Sequence, residues 1–266
     1  MSDPRHSDPR HRDRRHAELG NFLRSRREKL TPQAVGLAPG RRRRTAGLRR
    51  EEVAELAGIG VDWYIRLEQG RAVKPSSSTI DALARALRLN RTEHAHLRAL
   101  VREPARKPFV REQVPARLRE MVQSLNQPAY ISGRRWDVLA WNAAADEIFG
   151  FSQLADEERN TLLLMLCIPR VRRLFGGQWK DLAQRMVAQF RATYDLFAGD
   201  PAFMDLIERL RHGSREFDAL WAAHDVTPLA AGEKLVEHPK KGCVRLRYAT
   251  FQSNDDPALK LAIYYT

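Results

Sequence analysis

The chain has 266 residues, 46 Lys+Arg against 33 Asp+Glu, a formal charge of +13, two cysteines and a 43% hydrophobic fraction. That hydrophobic share is enough for real cores and excludes wholesale disorder, and the length allows one large domain or two ordinary ones. Cys167 and Cys243 are too few for a disulfide framework or a four-thiolate zinc site, and the longest apolar run, Leu162 to Ile168, stops at Pro169, well short of a membrane span.

The charge is unevenly placed. Residues 1–109 hold 25 of the 46 basic and 13 of the 33 acidic side chains, a net of +12, which leaves +1 for the rest of the chain. A basic, nucleic-acid-binding module joined to an electrically ordinary second domain is the expectation. The first sixteen residues are polar, repeat Ser-Asp-Pro-Arg-His, and lack the apolar segment of a secretory signal. They read as a disordered basic tail (1–16) on a cytoplasmic protein; His6, His11 and His16 read as solvated residues of that tail, with no metal site expected.

Order is expected from Ala17. Leu19, Phe22 and Leu23 mark a helix face, broken at Thr31-Pro32. Gly36 to Gly47 is a loop carrying Arg41, Arg42, Arg43 and Arg44, four guanidiniums suited to phosphate or to a narrow minor groove, or simply to water. A second helix runs from about Arg50 to Ala57, Gly58-Ile59-Gly60 turns the chain, and a third runs from Val61 to Gln69. Ser76 to Ser78 cap a fourth helix with an Ile80, Leu83, Ala84, Leu87 stripe, and Thr92 caps a fifth. A helix-turn-helix needs a small residue at the crossing, a glycine to reverse the chain and apolar locking positions. Ala54, Gly58, and Val53, Ala57, Tyr64 and Leu67 fill those roles.

The stretch Glu51 to Gly70, ending Leu67-Glu68-Gln69-Gly70, together with Ile80-Asp81-Ala82-Leu83-Ala84-Arg85-Ala86-Leu87, resembles the Xre/Cro-type helix-turn-helix over residues 19–100. The resemblance implies that Val61, Asp62, Trp63 and Arg66 face the bases of double-stranded DNA. Arg66 is the strongest candidate, because a guanidinium can contact guanine O6 and N7 together. Asp62 could accept from cytosine or orient Arg66 four residues on. Arg49, Arg50 and Arg71, which flank the motif, are expected at the DNA backbone with the four-arginine loop.

The helical domain is expected over 17–102 and a Pro-rich, charged linker over 103–112. In the second domain, 113–266, two strand-like stretches, Ala129–Ser132 and Trp136–Trp141, precede a short helix, Ala143–Phe149. Helical stripes follow, and Val244, Leu246 and Tyr248 alternate with Arg245 and Arg247 as a strand with one wet face. Lys260 to Tyr265 reads as a final strand. The fold class expected is therefore an all-α, five-helix N-terminal domain followed by an α+β domain, an antiparallel sheet wrapped by helices.

Tyr130 to Gly150 resembles the opening of a PAS-like domain. Glu158-Arg159-Asn160, Pro169 to Phe175 and Glu216 to Val226 are similar to the ligand-binding domain of MmyB-like regulators, with Gly176-Gly177-Gln178 as a departure. That resemblance implies an apolar cavity, which in a characterised relative holds a fatty acid. Candidate ligand residues are Asn142, Arg159, Arg173 and His224 for a polar head, and Met165, Tyr194, Phe197 and Trp221 among the apolar stripes; each also has an ordinary structural reading, as an ion pair, a cap or core. His224 and Asp225 are adjacent and so cannot pair across one helix face, and no nucleophile elbow or phosphate-binding glycine loop is present. No catalytic residue and no cofactor is expected. The reading is a homodimeric transcription regulator with a small-molecule sensor; the alternative is a second domain that only dimerises or binds a protein partner.

Overall fold

The computed structural model describes residues 9–37, 47–101, 109–197, 199–227, 232–238 and 242–265. They divide into two compact units. The first contains the described residues up to 101, together with 194–204 and 223–227; the second contains 109–193, 205–222 and the described residues from 232 onward.

The first unit is built on α1 (Pro9–Lys29), α2 (Arg50–Ala57), α3 (Val61–Glu68), α4 (Ser77–Ala86) and α5 (Arg91–Val101). Phe22, Leu23, Val53, Tyr64, Leu83 and Leu97 form its buried centre, which is the apolar face the sequence periodicity marks. Gly58 ends α2 at φ 66°, a left-handed conformation in which glycine carries no Cβ penalty, and three residues later α3 begins. Ser76 caps α4 by accepting from the Thr79 N–H at 3.2 Å. Gly20 lets α1 lie against the end of α3, since a Cβ there would come within 2.5 Å of the Glu68 carbonyl oxygen.

α1 reaches further back than the expected tail, to Pro9. The reason lies at Arg15, whose buried guanidinium donates to the carbonyls of Ala99 at 2.9 Å and Leu100 at 3.4 Å. Those are C-terminal carbonyls of α5, which have no partner within their own helix. The four-arginine loop, Arg41 to Arg44, lies outside the described residues, as do residues 1–8 and 102–108.

The second unit contains α6 (Ala116–Ser124), β1 (Ala129–Ser132), β2 (Val138–Trp141), α7 (Ala143–Phe149), α8 (Thr161–Cys167), α9 (Pro169–Phe175), most of α10 (Trp179–Tyr194) and α11 (Pro201–Gly213), α12 (Arg215–Ala222), β3 (Gly232–His238), β4 (Gly242–Gln252) and β5 (Lys260–Tyr265). The strands form one antiparallel sheet in the order β2-β1-β5-β4-β3. Ala129 and Ile131 on one face pack with Val114, Val122 and Leu259, so α6 covers that side. The other face carries Tyr130, Lys234, Val236, Leu246, Tyr248 and Tyr264, as the registers Lys234↔Leu246, Tyr248↔Tyr264 and Tyr130↔Ala262 require. Arg245 and Arg247 point away from it and pair with Glu233 at 3.4 and 4.0 Å, the wet face expected of β4.

β3 is a strand that the sequence periodicity did not indicate. The Gly176-Gly177-Gln178 insert forms a 3₁₀ turn and is tied to β3, with the Gln178 side-chain oxygen accepting from the Leu235 N–H at 3.2 Å.

A candidate DNA-reading helix and a candidate ligand pocket

In the first unit α3 is held from behind by a buried ion cluster. Glu68, at the helix end, is 2% exposed. Arg27 of α1 donates to it at 2.5 and 3.2 Å, and Arg50 at the start of α2 donates at 2.7 Å. Burial alone would raise the Glu68 carboxyl, but the hydrogen bonds from Arg27 and Arg50 outweigh it and hold the group below the ordinary carboxylate range. Burial, reinforced by the Glu68 charge, pushes the neighbouring Tyr64 phenol far up, so it stays neutral. Arg27 also donates to the Leu48 carbonyl at 2.9 Å. One carboxylate thus fixes three helices, and sequence reasoning gave it no role beyond a motif letter.

This bracing turns the opposite side of α3 outward. Val61, Asp62 and Arg66 are exposed and Trp63 is half-buried, while Tyr64, Leu67 and Glu68 are buried. Asp62 and Arg66 form no ion pair with each other among the described residues, so the guanidinium is available to a partner. Arg49 and Arg71 are also exposed. Arg50 is divided: its Nε is used on Glu68, and its side chain is 40% exposed.

The second unit contains a pocket of about 420 Å³. Its apolar lining comes from Ile148 of α7, Val236 of β3, and Val244 and Leu246 of β4. Tyr264 of β5, Glu147 of α7, and Asn126 and Gln127 ahead of β1 supply polar groups. An apolar cleft of this size with a few convergent polar groups is the usual form of a small-molecule site. Among the described residues no group of three or more His, Cys, Asp or Glu could hold a metal ion. None of the helices there is long and apolar enough to cross a membrane.

Two family models match the chain. A helix-turn-helix domain matches residues 18–97, and the MmyB-like transcription regulator ligand binding domain matches residues 114–266, more than half the chain. The chain belongs to the MmyB-like transcription regulators. Curated proteins give no match to it. The regulator therefore pairs a DNA-binding helix-turn-helix domain with a ligand-sensing domain.

In this MmyB-like regulator the pocket is not lined by the side chains chosen from sequence. Asn142 is 2% exposed and all four of its amide bonds are made within the fold. Its nitrogen donates to Leu125 and Gln127 carbonyls at 2.9 and 2.8 Å, and its oxygen accepts from Ala129 and Ala145 N–H groups at 3.1 and 2.9 Å. It caps α7 and fixes the segment that carries Asn126 and Gln127, so it shapes the pocket from behind. Arg159 donates to the Phe151 carbonyl at 3.0 Å and stacks on Trp141, 5.1 Å from the ring centre. Met165 is buried and its carbonyl accepts from the Trp179 indole at 2.6 Å. Arg173 is exposed on α9. Trp221 stacks on Phe217 and lies under the Arg191 guanidinium at 3.9 Å.

The remaining three belong to the first unit. Tyr194 packs on Phe203 at 6.5 Å, Phe197 stacks on the same ring at 4.7 Å, and the His224 carbonyl accepts from Arg26. The pocket residues that sequence reasoning missed come from five separate stretches of chain, and no spacing rule links them.

Proposed function

We propose that the regulator reads operator DNA with the outward face of α3, as a homodimer, and that the pocket beneath β3, β4 and β5 takes a small amphipathic molecule such as a fatty acid. The observation that carries the first half is the exposed Val61, Asp62, Arg66 face, with Trp63 beside it, on a helix whose inner side is locked by Glu68. Arg66 contacts a base edge, and Arg49, Arg71 and the Arg41 to Arg44 loop neutralise phosphates. Arg50 adds its positive charge there while braced by Glu68. Two such helices about 34 Å apart match successive major grooves on one side of a two-fold site.

The pocket supports the second half: about 420 Å³ lies within the range of roughly 300–1,000 Å³ seen for small-molecule sites. Ligand acts by its differential affinity for DNA-competent and DNA-incompetent states. Native mass spectrometry of the purified protein, followed by lipid extraction, tests this reading. A dimer mass carrying a co-purified lipid is the expected outcome. A protein that comes empty from several hosts and binds no added lipid would sink the sensor reading and leave a dimerisation module.

A further inference from the structure

Lys234 is the most unusual residue in the second unit. It lies on the inward face of β3, 8% exposed, with its ammonium facing Tyr248 at 4.9 Å, Phe175 at 5.5 Å and Tyr264 at 5.6 Å from the ring centres. Its single hydrogen bond among the described residues is to the Tyr264 hydroxyl at 3.5 Å, and no carboxylate there pairs with it. An ammonium has three donors, and a buried charge without a counter-ion is strongly unfavourable. The aromatic faces offset part of that cost. Burial pulls the Lys234 amine down to about 8, and Arg185 of α10 pushes in the same direction. That position therefore has an excess of positive charge, and the amine is still mostly protonated at neutral pH.

The same position adjoins the pocket. Val236, two residues along β3 on the same face, lines it, and so does Leu246, the cross-strand partner of Lys234. Tyr264 belongs to both: it lines the pocket, and its hydroxyl lies between Lys234 and the Tyr130 hydroxyl, 3.4 Å away. A tyrosine hydroxyl can accept from the ammonium while donating outward to an anion, and each bond of such a chain strengthens the next. Glu147, the carboxylate among the lining residues, sits exposed on α7.

We infer that Lys234, acting through Tyr264, is the counter-charge for a monoanionic head group, so that the pocket selects a carboxylate-bearing apolar ligand over its uncharged analogue. This rests on the pocket being the ligand site proposed above, and it names the head-group chemistry and the positioning residue. Isothermal titration of the full chain with dodecanoate and with dodecan-1-ol separates the two ideas. The wild type binds the acid at least about tenfold tighter than the alcohol, as a hydrogen bond to a charged group warrants. Lys234→Met, similar in shape, brings the two within about twofold while leaving alcohol binding in place, which also reports that the variant is folded. Tyr264→Phe, which keeps the ring, reduces the preference in the same direction. Equal binding of both probes by the wild type, or an acid preference that survives Lys234→Met, overturns the anchor alone. Binding of neither probe overturns the pocket reading, and the anchor with it.

Discussion

At the scale of single residues, the fold depends on a few polar side chains whose bonds are complete. Glu68 is the clearest. Replacing it with Ala leaves Arg27 buried without its carboxylate and removes the link from α3 to α1 and α2, so a loss of about 3–5 kcal/mol is expected. Because the carboxyl is held below its unfolded value, its contribution is fully present above the unfolded value of about 4.3 and is lost as pH falls through the lower folded value. Chemical denaturation of wild type and Glu68→Gln across pH 2 to 6 checks the sign: the wild type loses the extra stability on acidification, and the variant has a flatter acid limb. Equal acid limbs would falsify the assignment. None of this was legible from the sequence, where Glu68 stands as one charged residue in a helix. Burial of a carboxylate depends on Arg27, 41 positions earlier, and on Arg50, 18 earlier. Asn142 was legible as a polar residue of consequence, but its role came out as a cap, since an amide with four neighbours in reach satisfies itself first.

At the scale of elements, legibility follows local chemistry. The turn between α2 and α3 needs a left-handed residue, Gly58 supplies it, and the helix boundaries follow within a residue or so. Strands β1 and β5 and helix α7 were equally readable, since short apolar runs bounded by polar residues are local signals. β3 was not. Its inward position 234 is a lysine, so the alternation that marks a strand is broken at the one residue whose burial depends on aromatic rings from α9, β4 and β5. The recognition helix carries a prediction that belongs to this scale, because it depends on which face α3 presents. Arg66→Ala removes an exposed side chain and no core contact, so the melting temperature should stay within about 2 °C of wild type. Affinity for a selected operator should fall by about 1–3 kcal/mol, with base preference relaxed at one position of the site. Binding-site selection on the variant reads this directly, and an equal loss on operator and random DNA would assign Arg66 to phosphate instead.

At the scale of the whole molecule, the two units do not divide where the family matches divide. Residues 194–204 and 223–227 lie within the stretch matched as ligand-binding domain, yet they pack into the DNA-binding unit. The contacts are specific. Asp195, buried, meets Nδ1 of His96 on α5, whose ring also packs edge-on against Phe22 of α1 at 4.5 Å. Lys29 donates to Asp225 at 2.7 Å and to the Ala223 carbonyl at 2.8 Å, and Ser25 donates to that carbonyl at 3.0 Å. The chain entering these segments comes from α10, and the chain leaving them continues into α11 and β3, so the sensor sequence completes the core around α1 and α5. Composition alone could not show this, because the charge step near residue 109 marks the change of domain type and is silent about later returns of the chain. The prediction is that the DNA-binding helices depend on those returns. In the full chain, Asp195→Ala removes the carboxylate that meets the buried His96 imidazole and should cost the first unit about 1–3 kcal/mol. Hydrogen exchange followed by mass spectrometry resolves where the loss falls. Faster exchange in α1 and α5, with the β1 to β5 sheet unchanged, is the expected pattern. Protection of α1 and α5 equal to wild type would mean that the five helices hold together without the sensor's segments.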